Sequence, residues 1–184
     1  MYKFTVASII YLLTWAVEIR AAEYSNDEFG FSVALPDNLQ RCRKQPYEHD
    51  MGVLVFLSAG SDDCAENVWR RFISVIGEYN AYEAMDVEEL RDFTCKPSHA
   101  NVVYIPAAIS IAGLPSRLCR VDEGGKINIY LVAQLFKFAG LNNDKSVDLS
   151  PDLNFIVILQ TDEGHFSDDF LLFEVIVKAI TLKK

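Results

Sequence analysis

Histidine is scarce in this chain: three in 184 residues, each standing alone. His49, His99 and His165 form no H-E-x-x-H pair, so the zinc chemistry of that helical motif is excluded. No G-x-S-x-G elbow occurs; the nearest stretch, SAGSDD at 58–63, lacks the second glycine, which removes the commonest serine-hydrolase signature. No C-x-x-C pair is present, which argues against a thioredoxin-like redox role and a zinc site. Cations are few as well, 17 Lys and Arg against 26 Asp and Glu, for a net charge of −9 and a pI near 4.8. That balance argues against a nucleic-acid binder, which needs clustered cations to displace phosphate counterions, and against docking on an anionic membrane surface. Internal repeats and low-complexity tracts are absent, and there is no N-x-Ser/Thr sequon, which favours a bacterial periplasm over a eukaryotic secretory route.

The amino terminus carries a compartment label. Lys3 supplies a small positive region before the apolar run Phe4 to Val17, the length of a signal-peptide core and too short to span a bilayer comfortably. Cleavage after Ala21 places Ile19 at the third position back, which is tolerable; cleavage after Ala22 places Arg20 there, which is poor. The expectation is a signal peptide over 1–21 and a single domain over 22–184, in a periplasmic protein that is not an integral membrane protein. Losing Lys3, Arg20 and Glu18 takes the charge from −9 to −10.

Four cysteines, Cys42, Cys64, Cys95 and Cys119, all lie beyond that segment. An even number in an exported protein reads as two disulfides. Three pairings are open; Cys42 with Cys64 and Cys95 with Cys119 is favoured, because each closes a modest loop between successive elements.

Strand-like and helix-like signals alternate from residue 23 onward. In EFGFSVALPDNLQRC, Phe29, Phe31, Val33 and Leu35 share one face, and Pro36-Asp37-Asn38 ends the strand. Further strands are expected at 52–58, 71–79, 102–111, 117–122, 127–138 and 155–160, the last central because its run is continuously apolar. Gly124-Gly125 marks a hairpin. Asp86 followed by Glu89 resembles a capping box and predicts a helix over Val87 to Thr94. A second helix starts near Ser167 as its cap, with Phe173, Ile176, Val177 and Ile180 on one stripe. The fold class expected is α+β, a largely antiparallel sheet with a few packed helices including a C-terminal one.

FGFSVALPDN, IAGLPSRLCRV before the Gly-Gly hairpin, and the terminal DDFLLFEVIVKAITL together resemble the PsbP-like fold. That family has a Gly-Phe strand running into a Leu-Pro turn, a Gly-Leu-Pro before a central hairpin, and a terminal helix over the sheet. The resemblance implies an α/β/α sandwich and a binding or accessory role in photosynthetic membranes, the nucleus or bacterial envelopes; exported bacterial proteins of this look also include immunity proteins that neutralise antibacterial toxins.

Chemistry finds little purchase. Asp162, Glu163, His165 and Asp168 within DEGHFSDD are the nearest to a metal set, yet their spacing fits no EF-hand loop and is explained by a polar connection into a helix with acids at its positive end. Adjacent carboxylates at Asp62-Asp63 and Glu88-Glu89 point different ways. No catalytic residue, metal or cofactor is assigned. Acidic loops are instead suited to steering a basic partner: 60–67 with Asp62, Asp63 and Glu66, 122–126 with Asp122 and Glu123, and 142–152. The expectation is a non-enzymatic binder of another exported protein, foremost an immunity protein against a basic toxin active on the cell wall or membrane. An accessory factor for envelope assembly or stress is the first alternative, and a small-ligand carrier or enzyme the next.

Overall fold

Alternating and continuous apolar runs both occur along the chain, and the computed structural model forms two antiparallel sheets and two helices from its described residues. It describes residues 21–44, 51–57, 71–80, 84, 86–95, 101–106, 109–135 and 153–183. In chain order the elements are β1 (Ala21–Asn26), β2 (Phe31–Pro36), β3 (Gln40–Lys44), β4 (Gly52–Phe56), β5 (Phe72–Tyr79), α1 (Val87–Thr94), β6 (Asn101–Ile105), β7 (Ser116–Glu123), β8 (Lys126–Leu135), β9 (Leu153–Thr161), α2 (Phe166–Lys178) and β10 (Ile180–Leu182). The larger sheet has seven strands in the order β3-β4-β5-β9-β8-β7-β6, and the smaller has three, β1-β2-β10.

Side-chain parity sets the layers. Ile73 and Val75 of β5, Ile129 and Leu131 of β8, and Phe155, Val157 and Leu159 of β9 face one way. There they meet Phe31, Val33 and Leu35 of β2 and Phe173, Ile176 and Val177 of α2 in the main core. The opposite parity, Ile76, Val132 and Ile156, packs on Leu90 and Val87 of α1. The helices therefore lie on opposite sides of the seven-stranded sheet, with the small sheet on the α2 side. Each such side chain, fully buried, contributes about 1.5–3 kcal/mol. Gly77 permits the close approach of the β1–β2 turn to β5, since a Cβ there would lie 2.6 Å from Cβ of Phe29.

Helix α1 begins where its cap predicts: the Asp86 carboxylate accepts from the Glu89 amide at 2.8 Å, and Glu88 and Glu89 occupy the positive first turn. Its C-cap, Cys95, is disulfide-bonded to Cys119 of β7, one of the two favoured pairs. Cys42 is also in a disulfide and no described cysteine is free. Its expected partner, Cys64, lies outside the described residues. Strand β9 is fourth of seven, the central position its apolar run implies.

Several boundaries differ from the sequence expectation. Strand β6 stops at Ile105 rather than Ile111, because Pro106 has no amide to extend a ladder. Ile111 instead begins the turn closed by the Leu114 amide on its carbonyl, and its side chain is fully buried in the main core. The N-cap position of helix α2 is His165 rather than Ser167: the first helical bond runs from the Asp169 amide to the His165 carbonyl, and no side chain caps the helix. Ile180 leaves the helical stripe for β10, where it pairs with Val33. Strands β1, β3 and β10 are additional to those read from sequence. Ala21, beside the expected cleavage point, pairs with Pro36 at the end of β1.

Candidate functional site

Strands β7 and β8 meet in a two-residue turn, Gly124-Gly125, with φ of 58° and 79°. Both angles are positive, as a tight primed hairpin turn requires and as glycine adopts without steric cost. The turn holds Glu123 and Lys126 directly opposite one another. Beside it the chain leaving β9 presents Glu163, and between the two lies a groove of about 240 Å³ lined by Arg120, Asp122, Glu123, Gly124, Gly125, Lys126, Ile127 and Glu163. Three of these residues are acids and two are bases, so the groove is net negative.

Arg120 is its structural post. Its Nε donates to Asp122 at 2.8 Å, a terminal nitrogen reaches Glu163 at 3.5 Å, and its guanidinium lies 5.0 Å over the Phe166 ring at the start of α2. Those carboxylates, Asp122 foremost through its hydrogen bond, hold the guanidinium's pKa above its ordinary value. The Glu163 side chain stays 84% exposed, so its charge remains presented to solvent. Tyr130, further along β8, has its phenol pushed up by burial and by the Glu123 charge.

Next to the groove, Asp162 and His165 form an exposed pair, Oδ1 to Nδ1 at 2.7 Å. That hydrogen bond holds the Asp162 carboxyl below the ordinary aspartate range. The pair has the form of an acid that orients an imidazole, but no hydroxyl or thiol contacts His165 among the described residues. Asp162 and Glu163 thus turn to different neighbours, His165 and Arg120, and Glu163 belongs to the groove. Among the described residues no three His, Cys, Asp or Glu side chains gather as a metal would need.

A second ionic group is internal. Arg71 donates to both carboxylate oxygens of Asp169 at 3.1 Å, Thr161 donates to the same carboxylate, and Arg71 also reaches the Leu57 carbonyl. The Asp169 side chain is only 7% exposed, so this cluster locks α2 to the large sheet rather than facing a ligand.

Of the acids expected to bind a partner, Asp122 and Glu123 come together at the hairpin, whereas Asp62, Asp63 and Glu66 lie outside the described residues. Arg120, Lys126 and Glu163 join the site without having been singled out as partner-binding. Glu163 is 40 residues or so distant in sequence and is brought there only by the β8–β9 pairing. No helix among the described residues is long and apolar enough to cross a membrane.

This arrangement of two antiparallel sheets and two helices, one of them C-terminal, is the PsbP/Mog1p-like fold. The chain is similar to cyanobacterial PsbP (CyanoP) from Synechocystis sp. PCC 6803, with a TM-score of 0.54 and 12% identity over 89% of this chain and 93% of that one. It is also similar to the Saccharomyces cerevisiae Ran-binding protein Mog1p, with a TM-score of 0.52 and 11% identity over 89% of this chain and 96% of that one. No family model matches the sequence, and no curated protein matches it. At such identities the likeness concerns the fold alone.

Proposed function

We propose that the protein is an exported, non-enzymatic module that binds a basic protein partner through the acidic end of the β7–β8 hairpin, and that toxin neutralisation is the form this binding takes. The observation that carries the reading is the groove itself, where Asp122 and Glu123 at the end of the β7–β8 hairpin and Glu163 on the chain leaving β9 converge, with Arg120 bridging Asp122 and Glu163. Preorganised charges of this kind lower the ordering cost of association and steer an oppositely charged surface into register. The net charge of −9 acts in the same direction over longer range.

The test is retention. The tagged protein, incubated with the purified product of the adjacent gene, retains it at low salt, and its expression rescues cells from that product's toxicity. Retention without any toxicity to rescue would discard the neutralising role and leave an accessory binder. Turnover of a cell-wall substrate by the purified protein alone would overturn the binding proposal.

A further inference from the structure

The seven-stranded sheet ends in two edges, and they are built oppositely. β3 reads Gln-Arg-Cys-Arg-Lys, and cations on an edge oppose the addition of another strand. β6 reads Asn-Val-Val-Tyr-Ile, without a charge and with β-branched or aromatic side chains from Val102 to Ile105. Among the described residues no strand pairs with its outer side. Val103 and Tyr104, which point to opposite faces, are 53% and 51% exposed. The Arg91 guanidinium stacks 4.1 Å from the Tyr104 ring and so helps fix it in place.

Size and charge narrow what this edge receives. Five residues of strand span about 17 Å, the length of a short extended peptide segment. The register sets Asn101 opposite Asp122, so a strand laid on β6 and continuing past Asn101 runs toward the carboxylates of Glu123 and Glu163.

We propose that β6 is a strand-addition site for an extended segment of a protein partner, rich in β-branched residues along the strand and basic at the end that passes Asn101. Backbone hydrogen bonds to the β6 edge supply most of the affinity, alternate side chains settle against Val103 on one face and Tyr104 on the other, and the basic end is read by the hairpin acids. The last of these rests on the reading of the hairpin given above.

The probe is a synthetic peptide, Lys-Lys-Thr-Val-Thr-Val-Thr-Val, titrated to millimolar concentration against the full chain and followed by backbone amide NMR. The expected result is shift changes confined to β6 and the adjoining end of β7, and their loss when alternate peptide amides are N-methylated. Val103→Glu weakens binding about tenfold, although its added charge alone would tighten the grip on the lysines. Asp122→Asn with Glu123→Gln weakens binding at low salt only. If Val103→Glu weakens binding and the hairpin pair has no effect, strand addition stands and the acidic reading falls; the converse overturns strand addition. Binding that survives N-methylation, or no shift at β6 at all, overturns it too. So does concentration-dependent self-association abolished by Val103→Glu, because the occupant is then a second copy.

Discussion

At the scale of single residues, the charged groups divide into those that hold the fold and those that face outward. Arg71 and Asp169 belong to the first kind. With Asp169 nearly excluded from water, removing its partner leaves a desolvated carboxylate whose remaining donor is Thr161. Arg71→Ala is therefore expected to destabilise the domain by about 2–3 kcal/mol, read from urea midpoints at neutral pH. Asp169→Asn combined with Arg71→Met costs less than Arg71→Ala, since no charge is then stranded. Asp162 belongs to the second kind. Its folded-state pKa is depressed, so pairing with His165 adds stability above the unfolded aspartate value and loses it as pH falls through the lowered one. Carboxyl-carbon NMR should show Asp162 titrating below the ordinary aspartate range in the native protein and closer to it in His165→Ala. An unmoved titration in that variant would mean that the pair is not what depresses it.

At the scale of elements, the helices bind the sheet by different means. Helix α1 presents one fully buried residue, Leu90, and is held at its ends by the Asp86 cap, the Glu88–Arg117 ion pair and the Cys95–Cys119 bridge. Helix α2 relies on Phe173, Ile176 and Val177, all fully buried, and on the Asp169 lock. Ile176→Asp places an unpaired carboxylate in the main core and should cost about 4 kcal/mol or prevent folding, whereas Leu171→Asp, at a position 62% exposed, should leave the melting temperature nearly unchanged. The contrast shows which parts of the fold local sequence could reveal. Asp86 and Glu89, the Phe29-to-Leu35 alternation and the Gly-Gly turn each state their structure within a few residues; helix α1 and the hairpin stand where expected, while the alternating strand starts at Phe31 because the chain turns at Gly30, with Phe29 still buried in the core. Strand β3, with the sequence Gln-Arg-Cys-Arg-Lys, carries no apolar alternation for a local reading to detect, and only its pairing with β4 makes it a strand. The three residues of β10 look helical because they continue the stripe of α2, and only pairing with β2, some 150 residues earlier, makes them a strand. The site was half legible for the same reason: Asp122 and Glu123 adjoin a visible turn, but Arg120's second partner, Glu163, arrives through the tertiary pairing of β8 with β9.

At the scale of the whole molecule, the proposed binding rests on how a rigid acidic surface would meet another protein. The fold supplies the rigidity: a seven-stranded sheet with helices on both faces, one helix held by a disulfide. Its charge supplies direction, and a field of this kind affects encounter far more than it affects the lifetime of the complex. For a basic partner, raising ionic strength from about 0.01 M to about 0.15 M shortens the Debye length from roughly 30 Å to roughly 8 Å. The association rate should then fall by about tenfold or more, while dissociation changes by much less. Neutralising the hairpin with Asp122→Asn and Glu123→Gln should reproduce part of that slowing at low salt and have little effect at high salt. Neutralising Asp62, Asp63 and Glu66 tests the share of the other acidic segment in the same way. Stopped-flow kinetics at several salt concentrations reads all of these, with circular dichroism confirming that the variants remain folded. A salt-independent association rate in the native protein would remove electrostatic steering from the account and leave the uncharged edge at β6 as the surface that must carry recognition.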